Sequence, residues 1–247
     1  TARPMRERAL EAHLAAASLA ERALATFPED EAILAVRARI GRDLGRIAAD
    51  GGDYTLARRA FEDLRRFGVP GEEVETLLEA TEAERTALLR ARRARLEAIL
   101  SDVAAGIART ERSAEAPTLI EYTLEASSLV GDGTTEALEG ALASLARKAR
   151  AGGGRARWSQ AERDVAILAS SLLGRPDLPA AVPALSAWLD AVRDRPLAIE
   201  AALALCATGS PDALVPIARA GRALGTGTAG WERVALRSRR LPRPEPS

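Results

Sequence analysis

Apolar residues recur at steps of three and four along most of this chain, and Gly- and Pro-containing turns cut the runs into segments. That period puts the apolar side chains on one face of an α-helix. Leu10, Leu14, Ala17, Ala20 and Ala23 predict a helix over 5–25, and Pro28 with Glu29 and Asp30 closes it and starts the next. Ile33, Leu34, Val36, Ile40, Leu44 and Ile47 predict a second helix over 31–49, ended by Gly51-Gly52-Asp53. A third is expected over 55–67, stopped by Gly68 and Pro70. From Glu72 to about Thr110, Gly106 is the one break. Leu77, Leu78, Leu88, Leu89, Leu96, Ile99, Leu100, Val103 and Ile107 form an apolar stripe there among charged residues. The stretch predicts one long helix, or two with a joint near Thr81 or Ser101. Its stripe suits a coiled-coil seam or, on our preferred reading, packing against the flanking helices.

Residues 114–117 mark a candidate boundary, and Pro117 suits a helix start. Three helix pairs are then predicted, over 118–129 and 135–150, 160–173 and 179–189, and 197–207 and 213–223. The turns within the last two pairs read Gly174-Arg175-Pro176-Asp177 and Gly209-Ser210-Pro211-Asp212. Asp177 and Asp212 are expected to cap the helices that follow. A short closing helix over 231–240 presents Trp231 and Val234, and a Pro-rich tail follows Leu241.

Composition agrees with a helical class. The 247 residues are 47% hydrophobic but only 3% aromatic, and Ala and Leu dominate. Such a core suits helices at close range better than strands, which favour β-branched and aromatic residues. Formal net charge is zero but unevenly spread: residues 1–140 carry 19 Arg against 26 Asp and Glu, and residues 141–247 carry the compensating excess of +7. The two regions therefore differ in surface, and either attract each other or simply differ. Lys148 is the sole lysine, which with the alanine content reads as a GC-rich bacterial genome. The single cysteine, Cys206, excludes an internal disulfide and makes a reducing, cytoplasmic setting the expectation. No apolar run reaches eighteen residues, so no membrane span is expected. The chain opens at Thr1, which reads as a fragment of something longer.

Two stretches resemble known helical repeats. Leu44-Gly45, Ala48, Tyr54, Ala57, Phe61 and Leu64, ending near Pro70, resemble one TPR unit. Ala16, Ala20, Ala23 and Pro28 resemble the second helix of an earlier, partial unit, although Gly41 replaces the family's usual aromatic. In that pattern Gly45 and Ala57 let two helices approach, while Tyr54 and Phe61 fill the gaps. Residues 118–222 resemble HEAT repeats through the Gly-x-Pro-Asp turns, Val182-Pro183 and Val215-Pro216 near the second-helix starts, and Asp190-Ala191-Val192-Arg193-Asp194. Together these imply an all-α, right-handed α-solenoid of stacked antiparallel helix pairs, TPR-like over 1–115 and HEAT-like over 116–247. The ending Gly225-x-x-x-Ala229-Gly230-Trp231-Glu232-Arg233-Val234 is similar to helical tails that follow bacterial Ser/Thr kinase domains. That similarity implies a sensing or recruiting region without the kinase signature.

Candidate chemistry is sparse. His13 and Cys206 are far apart and stand in no ligand cluster, so neither a metal nor a cofactor is expected. His13 reads as a helix-flank residue and Cys206 as a small buried hydrophobe. Gly131-Asp132-Gly133-Thr134-Thr135 lacks the lysine and preceding strand of a phosphate loop, and reads as a turn and cap. Nucleophile elbows and carboxylate pairs in water-excluded settings are not apparent, so no enzyme is expected. Arg147, Lys148, Arg150, Arg155 and Arg157 are positive residues without an intervening acid and end at Trp158, a candidate nucleic-acid contact. Arg233, Arg237, Arg239 and Arg240 form a second basic cluster. The leading expectation is a non-catalytic scaffold that binds a protein or peptide, with Arg37 and Arg42, and Arg58 and Arg65 from the facing helix, as its charge readers.

Overall fold

Short polar side chains ahead of the apolar rows start several of the helices. In the computed structural model, which describes residues 2–106, 119–131, 133–153, 156–225 and 229–242, Asp30 accepts from the Ile33 amide at 3.1 Å and opens α2 (Glu31–Asp50). Asp53 does the same for α3 (Tyr54–Asp63) through Leu56 at 3.0 Å. Each supplies an acceptor to an N–H that the helix itself leaves unpaired. The first helix, α1 (Ala2–Thr26), precedes them, and α3 tightens into a 3-10 turn over Leu64–Phe67. Gly68 closes that turn at φ 78°, a left-handed conformation that glycine adopts without a Cβ clash.

A fourth helix, α4 (Gly71–Ala104), runs through both Thr81 and Ser101 without a joint. Thr81 is buried, and its hydroxyl donates back to the Leu77 carbonyl at 2.7 Å. The continuous helix answers the stripe along this stretch. Val74, Leu77 and Leu78 pack with α2 and α3 residues, and Leu96, Ile99, Leu100 and Val103 belong to a second core. Ile107 and the boundary at 114–117 lie outside the described residues.

The chain divides into two compact units, Thr1–Arg90 and Ala91–Ser247. All the described regular structure in both is helical. In the first unit α2 packs on α1 and on α3. Its core is Ala38, Ala48, Ala57, Phe61, Leu64, Val69 and Val74, so the helices meet through alanines. A Cβ added at Gly45 would run into the Phe61 ring, and one at Gly41 would lie 2.7 Å from Leu64 Cδ2. Tyr54 is only half-buried, so Phe61 alone fills this gap completely.

The second unit contains the last part of α4 and then α5 (Leu119–Leu129), α6 (Glu136–Ala151), α7 (Gln160–Leu173), α8 (Val182–Ala191), α9 (Arg195–Ala207), α10 (Leu214–Leu224) and α11 (Ala229–Ser238). Short 3-10 turns over Pro179–Ala181 and Pro211–Ala213 lead into α8 and α10. Each helix packs closely on its chain neighbour or on the helix two along: α6 on α7 and α8, α7 on α9, α8 on α9 and α10, and α9 on α11. Trp188 is the largest side chain fully enclosed, and Trp158 meets it edge-to-face at 5.7 Å between ring centres. Tyr122 is buried and donates its hydroxyl to Asp102 at 3.0 Å.

Neither expected aspartate cap forms. Asp177 does not cap the turn before α8; Arg175 grips it with two bonds of 3.0 and 2.7 Å. Ser210, not Asp212, takes the capping position before α10 and accepts from the Asp212 amide at 3.3 Å. The reason is positional: Ser210 stands before Pro211, the first residue of the 3-10 turn, so its hydroxyl is the oxygen that faces the free amides. The remaining caps in this unit are Ser159, with a reciprocal bond from Glu162, and Asp194.

Two alanine substitutions distinguish packing from helix propensity. Gly140 lies in α6 with nothing near its missing Cβ, so Gly140→Ala should stabilise by about 0.5–1 kcal/mol through propensity alone. Gly45→Ala gains the same propensity but presses on Phe61, and overpacking of about 1–3 kcal/mol should win. Thermal unfolding followed by circular dichroism should show midpoints moving in opposite directions.

Candidate functional site

Unit 1 was the expected home of the charge readers, and the structure pairs each of them internally. Arg37 is 5% exposed, donates to Glu21 at 2.8 Å and lies 4.5 Å over the Phe67 ring. Its Nε is buried without a partner. Arg37 is therefore a packing residue and not a surface reader. Arg42 bonds Glu73 at 2.6 Å, Arg58 bonds Glu62 one turn on at 2.8 Å, and Arg65 meets Glu75 at 3.5 Å. The Arg42 guanidinium holds the Glu73 carboxyl below its ordinary range. The cause is the acidic excess of the first 140 residues: every one of these arginines has a carboxylate within reach.

The basic stretch begins in α6 and leaves it after Ala151. Arg147, Lys148 and Arg150 form the last turns of α6, where positive charge complements the helix dipole. Arg155 lies outside the described residues, and Arg157 is exposed in the connection to α7. Lys148 pairs with Glu162 of α7 and sits 5.5 Å from the centre of the Trp158 ring. Hydrogen bonds from Lys148 and from the Ser159 amide lower the Glu162 pKa. Trp158 is half-buried against Trp188, so it packs into the core instead of offering a face to a base. Arg233, Arg237, Arg239 and Arg240 are exposed on and just after α11.

What sequence reasoning missed is a groove between α6 and α8. Glu139, Leu142, Ala143, Ala146, Arg147 and Arg150 supply one wall, and Ala184, Ala187 and Trp188 the other. Its volume is about 320 Å³, and it opens to solvent. The α6 residues fall at steps of three and four, which is one helical stripe. Four alanines keep the floor shallow and apolar. Arg150 reaches across one end and donates to the Ala187 carbonyl at 3.4 Å, leaving most of its guanidinium donors available. Arg147 beside it and Glu139 at the other end make no ion pair among the described residues. The signal was present in α6 as Glu139, Ala143, Arg147 and Arg150 on one stripe. The α8 wall comes from about forty residues further on, and only folding brings it alongside.

Other candidates have structural surroundings. The His13 Nδ1 lies 2.8 Å from the Ala9 carbonyl within α1. Thr134 is buried and accepts from the Gly131 amide at 2.9 Å, which makes the glycine-rich stretch a turn; Asp132 lies outside the described residues. Cys206 is buried in α9, and burial pushes its thiol up to about 11. Among the described residues no three His, Cys, Asp or Glu side chains come together in a metal-holding group, and no helix is long and apolar enough to cross a membrane.

Two measurements follow from these environments. With a thiol pKa of about 11, the Cys206 thiolate is about a thousandth of the thiol at pH 8. A disulfide reagent should label native protein at least about 100-fold more slowly than denatured protein, and equal rates would place the thiol at the surface. Glu162 has a lowered folded pKa, so its stabilising contribution is full above its unfolded value of about 4.3 and is lost as pH falls through the folded one. Melting curves from pH 7 to 3 should therefore drop on acidification, and Glu162→Gln should drop less steeply.

Comparison of the chain with protein-family models, with curated proteins and with solved structures gave no match.

Proposed function

We propose that this chain is a non-catalytic interaction module, an α-solenoid of stacked helix pairs, that takes a segment of a partner protein into the α6–α8 groove. The observation that carries this reading is the groove itself: an apolar floor with Arg147 and Arg150 at one end, both with donors to offer. Hydrophobic contact supplies binding energy there, and the charged rim supplies register and orientation. A volume near the lower limit for small-molecule sites, open to solvent, suits side chains carried by a larger partner better than an enclosed metabolite. The solenoid reading is supported by the packing of unit 2, where close contacts run to the next helix and the one after. Stacking of that kind leaves long helix-lined faces on which a partner segment can lie.

Nucleic-acid binding through residues 147–157 is the second reading, and the exposed Arg147 and Arg157 favour it. The inward Trp158 and the paired Lys148 remove the stacking platform and one cation, so we rank it below protein binding. The test is photocrosslinking in a lysate of the source cells, with p-benzoylphenylalanine replacing Ala143 in the groove or, as a control, the exposed Val215 of α10. Discrete nuclease-resistant protein adducts from position 143, absent from 215 and reduced by Arg147→Glu/Arg150→Glu, are the expected result. Adducts that disappear with nuclease would transfer the function to nucleic acid.

A further inference from the structure

The two ends of the groove carry opposite charge. Glu139 stands at one end, and Arg147 and Arg150 stand eight and eleven residues along the same helix. At 1.5 Å per residue the separation is about 12–17 Å, or two to three helical turns. Between them lie only Leu142, Ala143, Ala146, Ala184, Ala187 and Trp188. A ligand that fits must be dipolar along its length and apolar in the middle.

The walls also restrict its backbone. Both are helices, whose N–H and C=O groups bond within the helix, so the groove presents no row of free donors or acceptors. Two wall carbonyls have further partners: that of Ala187 accepts from the Arg150 guanidinium, and that of Arg150 accepts from the Gly153 amide. An extended peptide would lay unpaired backbone groups on an alanine floor, at a cost comparable to a lost hydrogen bond for each. A helix pairs its own backbone and presents side chains at three- and four-residue steps, the period of the α6 wall itself.

Building on the protein-binding reading of this groove, we infer that the occupant is an amphipathic helix of a partner protein. It carries an acidic residue over Arg147 and Arg150, a basic residue about two turns away over Glu139, and aliphatic residues between them. The acid engages guanidinium donors that can be bidentate, and the aliphatic side chains fill the space that the alanines leave. Reversing the helix would place acid on Glu139 and base on the arginines, so the charges fix one direction.

The experiment is selection from a displayed library of random 16-residue peptides on the full chain, with Arg147→Glu/Arg150→Glu protein as counter-selection. Both substitutions are at exposed positions, and circular dichroism melts would verify folding. The expected clones combine acid, aliphatic and basic residues at helical spacing. They bind about tenfold or more weaker to the double variant and are lost when a central residue is changed to proline. A charge-swapped clone should recover binding to the Arg147→Glu/Arg150→Glu/Glu139→Arg protein. Clones that need the arginines but tolerate proline would overturn the helical occupant and leave the groove as a protein site. Clones indifferent to the arginines, or no enrichment at all, would remove both this inference and the reading it rests on.

Discussion

Close approach of helices through small residues is the constraint on which the rest of this structure depends. With few aromatic residues available, the cores are built of leucine and alanine, and at several points the helices come together on glycine. A Cβ on Gly174 would lie 2.7 Å from Ala204 Cα, one on Gly221 would lie 2.8 Å from Trp231 Nε1, and one on Gly230 would lie 2.6 Å from Ile199 Cδ1. Two of the large residues sit where a glycine faces them: Phe61 at Gly45 and Trp231 at Gly221. The α6–α8 groove is the surface expression of the same rule: where small residues face solvent instead of a neighbouring helix, they leave a furrow.

Charge then works at the surface of this scaffold. Many arginines pair with exposed carboxylates, such as Arg95 with Glu125, Arg93 with Glu97 and Glu136, and Arg219 with Asp190. Exposed pairs of this kind contribute little to stability individually, because solvent screens them. Their use lies in register, because Arg95 ties α4 to α5, Arg219 ties α10 to α8, and Arg163 ties α7 to Asp194 at the start of α9. Arg147 stands outside this lattice, which is why a surplus of positive charge gathers at one end of the groove.

Much of the helical pattern was legible in the chain because Gly and Pro punctuate it cleanly. The α7 helix, predicted over 160–173, spans Gln160–Leu173, and the others lie close to their predicted limits. The choice between one and two helices after Gly71 was not legible, because a lone buried Thr81 bonding back to Leu77 looks locally like a joint. Arg37 was misjudged because charge was weighed ahead of position. It shares the Gly41 and Gly45 stripe, and a glycine row on a helix marks the face that another element covers. The groove needs two segments from different helix pairs, α6 and α8, and neither segment shows it alone. Local pattern sees along a helix; it does not see what stands opposite.

Unit 2 is held by contacts that reach no further than the second helix along in their close packing. Opening of α10 and α11 would release their contacts with α8 and α9 but leave the α6–α7 and α6–α8 interfaces intact. The α6–α8 packing that forms the groove therefore does not run through α10 or α11.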